Sequence, residues 1–437
     1  MLDRQGNPVH HANPAAVAAY DEAVAAFSLY RGDPLAALDT ACAAAPGAAL
    51  PPTAKALILA LATEPAAAAD ARALLAEAAP LPQDSRSTAM AAITAAVLDG
   101  EWTRAALLAD RHNIDHPRDL LALQAGHLID FFRANARSLR DRVARALPAW
   151  PAALPGRSAV LGMYSFGLEE AGDYAQAEAT GRTALDAEPG DSWAHHAVAH
   201  VMEMQGRAED GIGWMIARES HWAAEECFFR VHNWWHRALY HLDLGQTGAA
   251  LNIYDRQVRA TPSAIAVDLV DAAALLWRLD LSGADVSGRW AEVADTWGPH
   301  ADGSTYPFND WHACLADLGA GREAQVATRL ARMKQAAAGP GETARWIGSI
   351  GIPLVEGFAA FHRGAYAAAA ETLHPVRAIA NAFGGSHAQR DLIDWTLAEA
   401  ALRSGNRRLS EALVAERLAL KPHSPFTRGL MQRARQA

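Results

Sequence analysis

Alternating runs of β-branched residues are nearly missing from this 437-residue chain, and with them any basis for a sheet. Cysteine is scarce. Cys42, Cys227 and Cys314 are too few and too scattered for a disulfide framework or a CxxC metal site. Only three lysines occur among the 39 basic residues, Lys55, Lys334 and Lys421. Against 49 acidic residues they leave a net charge of −10, which excludes the basic field of a non-specific nucleic-acid binder. No apolar run reaches the roughly 18 residues of a membrane span. The opening MLDRQGNPVHHANPAAVAAYDEAV brings in acids before a secretory leader could form. GxSxG, the Walker lysine loop and GxGxxG after a strand are all absent, which argues against nucleotide-dependent chemistry. These absences predict a reduced, cytoplasmic, soluble protein.

Ala, Leu, Arg and Glu dominate instead and favour helix throughout. Glycine punctuates them in a recurring form, a helix end followed by an Ala-rich helix. It does so at Gly32, Gly100, Gly172, Gly206, Gly245, Gly321, Gly364 and Gly405. Gly172 to Gly206 spans 34 residues and Gly32 to Gly100 twice that, the helix–turn–helix period of tetratricopeptide (TPR) arrays. The clearest unit, 158–189, opens its second helix at Tyr174 and carries small residues at Ala177 and Ala184 where the paired helices must approach closely. The expectation is an all-α, TPR-like α-solenoid, a superhelix of antiparallel helix pairs with a concave inner pocket. It would run over 1–437, with looser repeats in 1–110, a core carrying the pocket in 111–405 and a capping helix in 406–437. The inner helices are expected near 118–135, 158–171, 191–205, 225–244, 308–319, 343–363 and 386–404.

Histidine is unevenly placed, with seven of 18 between His195 and His241. In HHAVAHVME, His196, His200 and Glu203 share one helix face. In VHNWWHRALYHLD, His232 and His236 lie one turn apart with Asp243 on the same stripe. His127, His312 and the His387–Arg390–Asp391 group lie on other inner helices. Three readings stay open: buried structural histidines, a small-molecule or peptide pocket with imidazole and carboxylate anchors, and a catalytic or metal site. Spacing at i, i+4 suits chelation, since both rings leave one face, but HExxH with its directly following Glu is absent. Trp234 and Trp235 fit a pocket wall or core. Arg390 with Asp391 fits a carboxylate clamp or a helix-end charge pair. His195 and His241 point away from the stripes. Cys314 lies nearly opposite His312 on its helix, so no Cys–His nucleophile is read there.

At DHPRDLLAL, FFRANARSLRDRVARALPAW, YSFGLEEAGDYAQAE, DSWAHHAVAHVMEM, VHNWWHRALYHLDLGQTGAALNIYD, DLVDAAALLWRL, FNDWHACLADLGA and GGSHAQRDLID the chain resembles the tetratricopeptide repeat protein 38 family. The resemblance covers most of the chain and is strongest from His116 to Asp391. Carried over by position, it implies that His127, His196, His200, Glu203, His232, Asn233, His236, Asp310, His312, Arg390 and Asp391 belong to the family pattern, while His195 and His387 depart from it. It implies a TPR-like fold with a polar-lined interior and supplies no reaction.

The function expected is binding of a small organic or peptide-like ligand in a His/Asp/Glu-lined concave pocket. His196, His200, Glu203, His232 and His236 would carry any catalysis. His127, Asn233, Trp235, Asp310, His312, Arg390 and Asp391 would bind ligand. A hydrolase or lyase using the histidines as general base or metal ligands is one alternative, and a protein-interaction scaffold the other. Near-absence of lysine on the inner helices weighs against a carboxylate-reading peptide groove. The cofactor is unknown, with a divalent metal such as zinc the candidate. The partner is a small-molecule or peptide-like ligand, without nucleic acid or membrane, and a homodimer is left open.

Overall fold

The computed structural model describes residues 1–436. Among them no strand forms. The extended contacts are two isolated bridges, Leu2 with Pro8 and Arg31 with Cys227. Helices pack chiefly against their neighbours in sequence, as a hairpin-repeat pattern requires. Arg157–Glu170 lies against Tyr174–Ala187, and Ile352–His362 against Tyr366–Arg377. All eight glycines expected at turns have positive φ, from +66° at Gly206 to +89° at Gly32. Cβ-bearing residues avoid that conformation, so the helix ends follow directly from sequence. Cys42, Cys227 and Cys314 are free thiols. No helix among the described residues is long and apolar enough to cross a membrane.

The chain forms two compact units, Met1–Val198 with Glu219–Arg230, and Ala199–Arg218 with Val231–Ala437. In the first, the N-terminal residues are stitched to the helices by a buried guanidinium. Arg86 reaches Asp119 at 2.8 Å and Asp3 at 3.1 Å, and the Asn7 backbone N–H donates to the same Asp3 carboxylate at 2.7 Å. Small residues set the spacing of the helix pairs. Ala177 and Ala184 are fully buried, as the repeat period requires. At Gly167 a Cβ would stand 2.6 Å from the Leu139 carbonyl oxygen and 2.7 Å from the Arg140 nitrogen.

In the second unit Pro307–Gly319 packs against Glu323–Ala337, and His387–Arg403 against Arg407–Leu420. The inner-helix expectation needs one addition here. Ala266–Leu281, a 16-residue helix buried along almost its whole length, was left out of it. Its Ala/Leu content gives no amphipathic stripe, because it is covered on nearly every side. The stretch expected as one helix over 343–363 is broken. Gly341–Trp346 passes through a π-helical turn, Ile347–Gly351, before Ile352–His362 begins.

Gly167→Ala should destabilise the protein by about 1–3 kcal/mol, because the facing backbone cannot yield as a flexible side chain would. Gly213→Ala provides the contrast. It is exposed inside Ala208–Ala217 with nothing within 4 Å of its Cβ direction, and should stabilise by roughly 0.5–1 kcal/mol. Thermal melts of the two variants beside the parent protein check both signs.

Candidate functional site

In the second unit, Arg230–Asp243 presents His232 and His236 one turn apart, both buried. Each ring is anchored by a carboxylate from a different helix. His232 Nδ1 donates to Asp271 Oδ2 at 2.8 Å, from Ala266–Leu281. His236 Nδ1 donates to Glu203 Oε2 at 2.9 Å, from the end of Ser192–Met204. An ionised carboxylate only accepts, so these bonds place a proton on each Nδ1 and turn each Nε2 away from its carboxylate. The two Nε2 atoms then face each other at 3.2 Å. His200 stands over His236 with ring centroids 4.4 Å apart, and one nitrogen from each of His200, His232 and His236 lies within 4.8 Å of the others.

At His236 the surroundings favour neutral imidazole. Burial, with the positive charges of His232, Arg278 and Lys421, holds His236 well below its ordinary pKa. Burial raises the Asp271 carboxyl, and the His232 bond opposes it. Trp235 stacks on His232 with 5.2 Å between centroids, and the Arg278 guanidinium lies 5.3 Å from the Trp235 ring. Arg278 is held in turn by the Ala388 carbonyl at 2.8 Å, and burial brings its pKa down to about 10. Lys421 approaches Glu203 at 3.8 Å.

Several fully buried polar atoms of the same unit have no hydrogen-bond partner among the described residues. They are both amide atoms of Asn233, Nε1 of Trp235, Oδ1 of Asp271, and Nε2 of His312. His312 donates from Nδ1 to the Phe308 carbonyl at 2.8 Å, which fixes its tautomer with a bare Nε2. Burial lowers its pKa to about 3. Asp310 accepts from the Gly303 N–H at 2.7 Å, and burial raises its carboxyl to about 7 although Arg329 pulls the other way.

Other expected residues have further partners. Asp391 is paired with Arg417, with Nη2 to Oδ2 at 3.0 Å. Burial would raise the carboxyl, but the Arg417 charge and hydrogen bond outweigh it and hold it at about 2. Arg390 donates to the Gly385 carbonyl. Arg390 and Asp391 thus take separate partners in the structure. Asp243 accepts from the Ser424 hydroxyl at 2.6 Å and takes no part in the His232–His236 hydrogen bonds. His127 and His196 belong to the first unit, inside an aromatic cluster. His196 stacks on Phe229 at 5.2 Å with the rings 3° from parallel, and on Trp193 at 4.9 Å. His127 meets Trp193 edge-on at 5.8 Å, and burial together with the Arg142 charge lowers its pKa to about 3. His195 stacks on Trp222, and His241 bonds Gln246 at the surface. Burial pushes the Cys314 thiol up, against any nucleophilic role.

Sequence reasoning missed Asp271, Arg278 and Lys421. The first two had a signal: a carboxylate and a guanidinium seven residues apart, on one face of a largely apolar helix.

No family model matches the chain. Among solved structures, a tetratricopeptide repeat protein from Parabacteroides merdae is similar, with 13% sequence identity and a TM-score of 0.35. The match covers 64% of this chain and 98% of that one. Likeness at that level carries neither family nor activity, and the helix-pair architecture stands on the chain's own packing.

Asp310 sets a pH dependence that can be measured. Its folded-state pKa of about 7 lies above its ordinary value of 3.8. Its contribution to stability is therefore fully present below the ordinary value and is lost as pH rises toward 7. Asp310→Asn keeps an oxygen for the Gly303 N–H and removes the buried charge. The melting temperature of the variant relative to the parent should climb between pH 5 and pH 8; an unchanged difference would show that the carboxyl is ionised throughout.

Proposed function

We propose that the second unit binds a small polar organic or peptide-like ligand, with His232, His236, Asn233, Trp235, Asp271 and His312 as its recognition groups. The observation that carries this reading is the set of fully buried donors and acceptors left unfilled by the protein. Buried polar groups are nearly always satisfied, and each one left open costs about 1–3 kcal/mol. Asn233 offers one donor group and one acceptor, Trp235 a donor, and Asp271 and His312 acceptors. A ligand that fills them must present both kinds of group. A protein-docking surface would need none of them, since they are buried.

Catalysis is favoured as a second reading by one feature, the carboxylate–imidazole pairs. A histidine whose Nδ1–H is fixed by a carboxylate presents Nε2 as a general base, the arrangement a hydrolase or lyase uses to take a proton from water or substrate. His232 with Asp271 and His236 with Glu203 would fill that role. The matching stretches from DHPRDLLAL to GGSHAQRDLID would place the chain in the tetratricopeptide repeat protein 38 family, whose residue pattern includes these histidines, Glu203 and Asn233.

Asn233→Ala tests the pocket directly. Losing two unsatisfied polar atoms offsets the small cavity left behind, so stability should change by less than about 1 kcal/mol. Compounds that raise the melting temperature of the parent protein in a polar-metabolite screen should lose that effect in the variant. A large fall in stability with ligand shifts unchanged would mean that Asn233 is structural and the ligand lies elsewhere.

A further inference from the structure

We propose that His200, His232 and His236 form a three-imidazole site for a divalent transition metal, with zinc the best match to the donor set. The proposal rests on the same buried cluster as the pocket reading and gives it a cofactor.

Two imidazoles of one helix are each anchored by a carboxylate. Each Nδ1 is committed as donor to a carboxylate, to Asp271 at 2.8 Å and to Glu203 at 2.9 Å. Both Nε2 atoms are thereby turned inward and lie 3.2 Å apart. A shared proton would serve two nitrogens and has no use for a third. Here a third imidazole is present, since His200 offers a nitrogen within 4.8 Å of the other two.

Metal geometry matches the spacing. Zinc–imidazole bonds of about 2.0–2.1 Å in a tetrahedral shell put neighbouring ligand nitrogens about 3.3 Å apart. The His232–His236 separation already meets that, and His200 has to close by a small ring rotation. The outer partners fit as well. Metal-bound histidines usually give their second N–H to a carboxylate, which fixes ring orientation and raises donor strength. Here both do so, to two carboxylates on two helices, and those carboxylates supply the two negative charges that offset a dication. An all-nitrogen donor set selects zinc and its late first-row neighbours over calcium or magnesium, which demand oxygen.

The test uses untagged full-length protein, stripped with chelator and titrated with cobalt and then zinc. Tetrahedral cobalt absorbs strongly in the visible, so the site reports its own geometry independently of any activity. The expected result is one equivalent of cobalt with intense d–d bands that zinc displaces. His232→Ala or His236→Ala should abolish the signal. Asp271→Asn, which keeps the fold and the three ligands, should weaken affinity about 10–100-fold while retaining the band shape. Failure of the wild-type protein to develop tetrahedral bands or to retain zinc by elemental analysis would overturn the proposal and leave a shared proton between the rings. Stoichiometric metal that persists unchanged in both alanine variants would overturn it too, by placing the metal elsewhere among the 18 histidines. A compound that raises the melting temperature of chelator-stripped protein that binds neither metal would leave the pocket reading standing without its metal.

Discussion

Where Gly167 meets the backbone of Leu139 and Arg140, there is no room for a single added carbon. Contact of that kind, helix backbone against helix backbone through alanine and glycine, is the constraint on which the rest of the molecule depends. It brings paired helices close enough to bury one face of each. It also carries inward every polar residue that shares the face. The fold therefore inherits a problem of buried charge, and its particular solutions are the features with chemical interest.

Most of those solutions are closed. Arg86 spans Asp3 and Asp119, and Arg142 bonds Asp130 at 2.8 Å, all of them nearly inaccessible to water. Breaking such a pair strands a charge, so it fixes one arrangement of the helices more than it adds net stability. Others stay open in both units: Asn113 and Gln124 in the first, Asn233 and His312 in the second, each keep a buried polar atom with no hydrogen-bond partner among the described residues. In the second, two imidazoles of one helix are each held by a carboxylate from another helix and turn toward each other at 3.2 Å.

Ser192–Met204 shows how little helical spacing settles by itself. His196 and His200 are one turn apart, and a period of 3.6 residues treats them alike. In the structure the His196 ring packs among Phe166, Trp193 and Phe229, and the His200 ring stands beside His236. Arg390 and Asp391 teach the same lesson at shorter range, since neighbours in sequence diverge around a helix and find separate partners.

The helical class, the turn glycines and the close-packed small residues were legible because each is a local property. A residue of positive φ needs glycine, and a helix pair at close range needs alanine or glycine, whatever lies elsewhere in the chain. The pairing of His232 with His236 was legible for the same reason, being a matter of one turn on one helix. What remained hidden was Asp271, and which ring Glu203 would anchor. Asp271 and Glu203 lie 39 and 33 residues from the histidines they anchor. Periodicity fixes how a side chain is rotated about its own helix axis. It says nothing of how far one helix slides along another, and that offset decides which carboxylate arrives at which nitrogen.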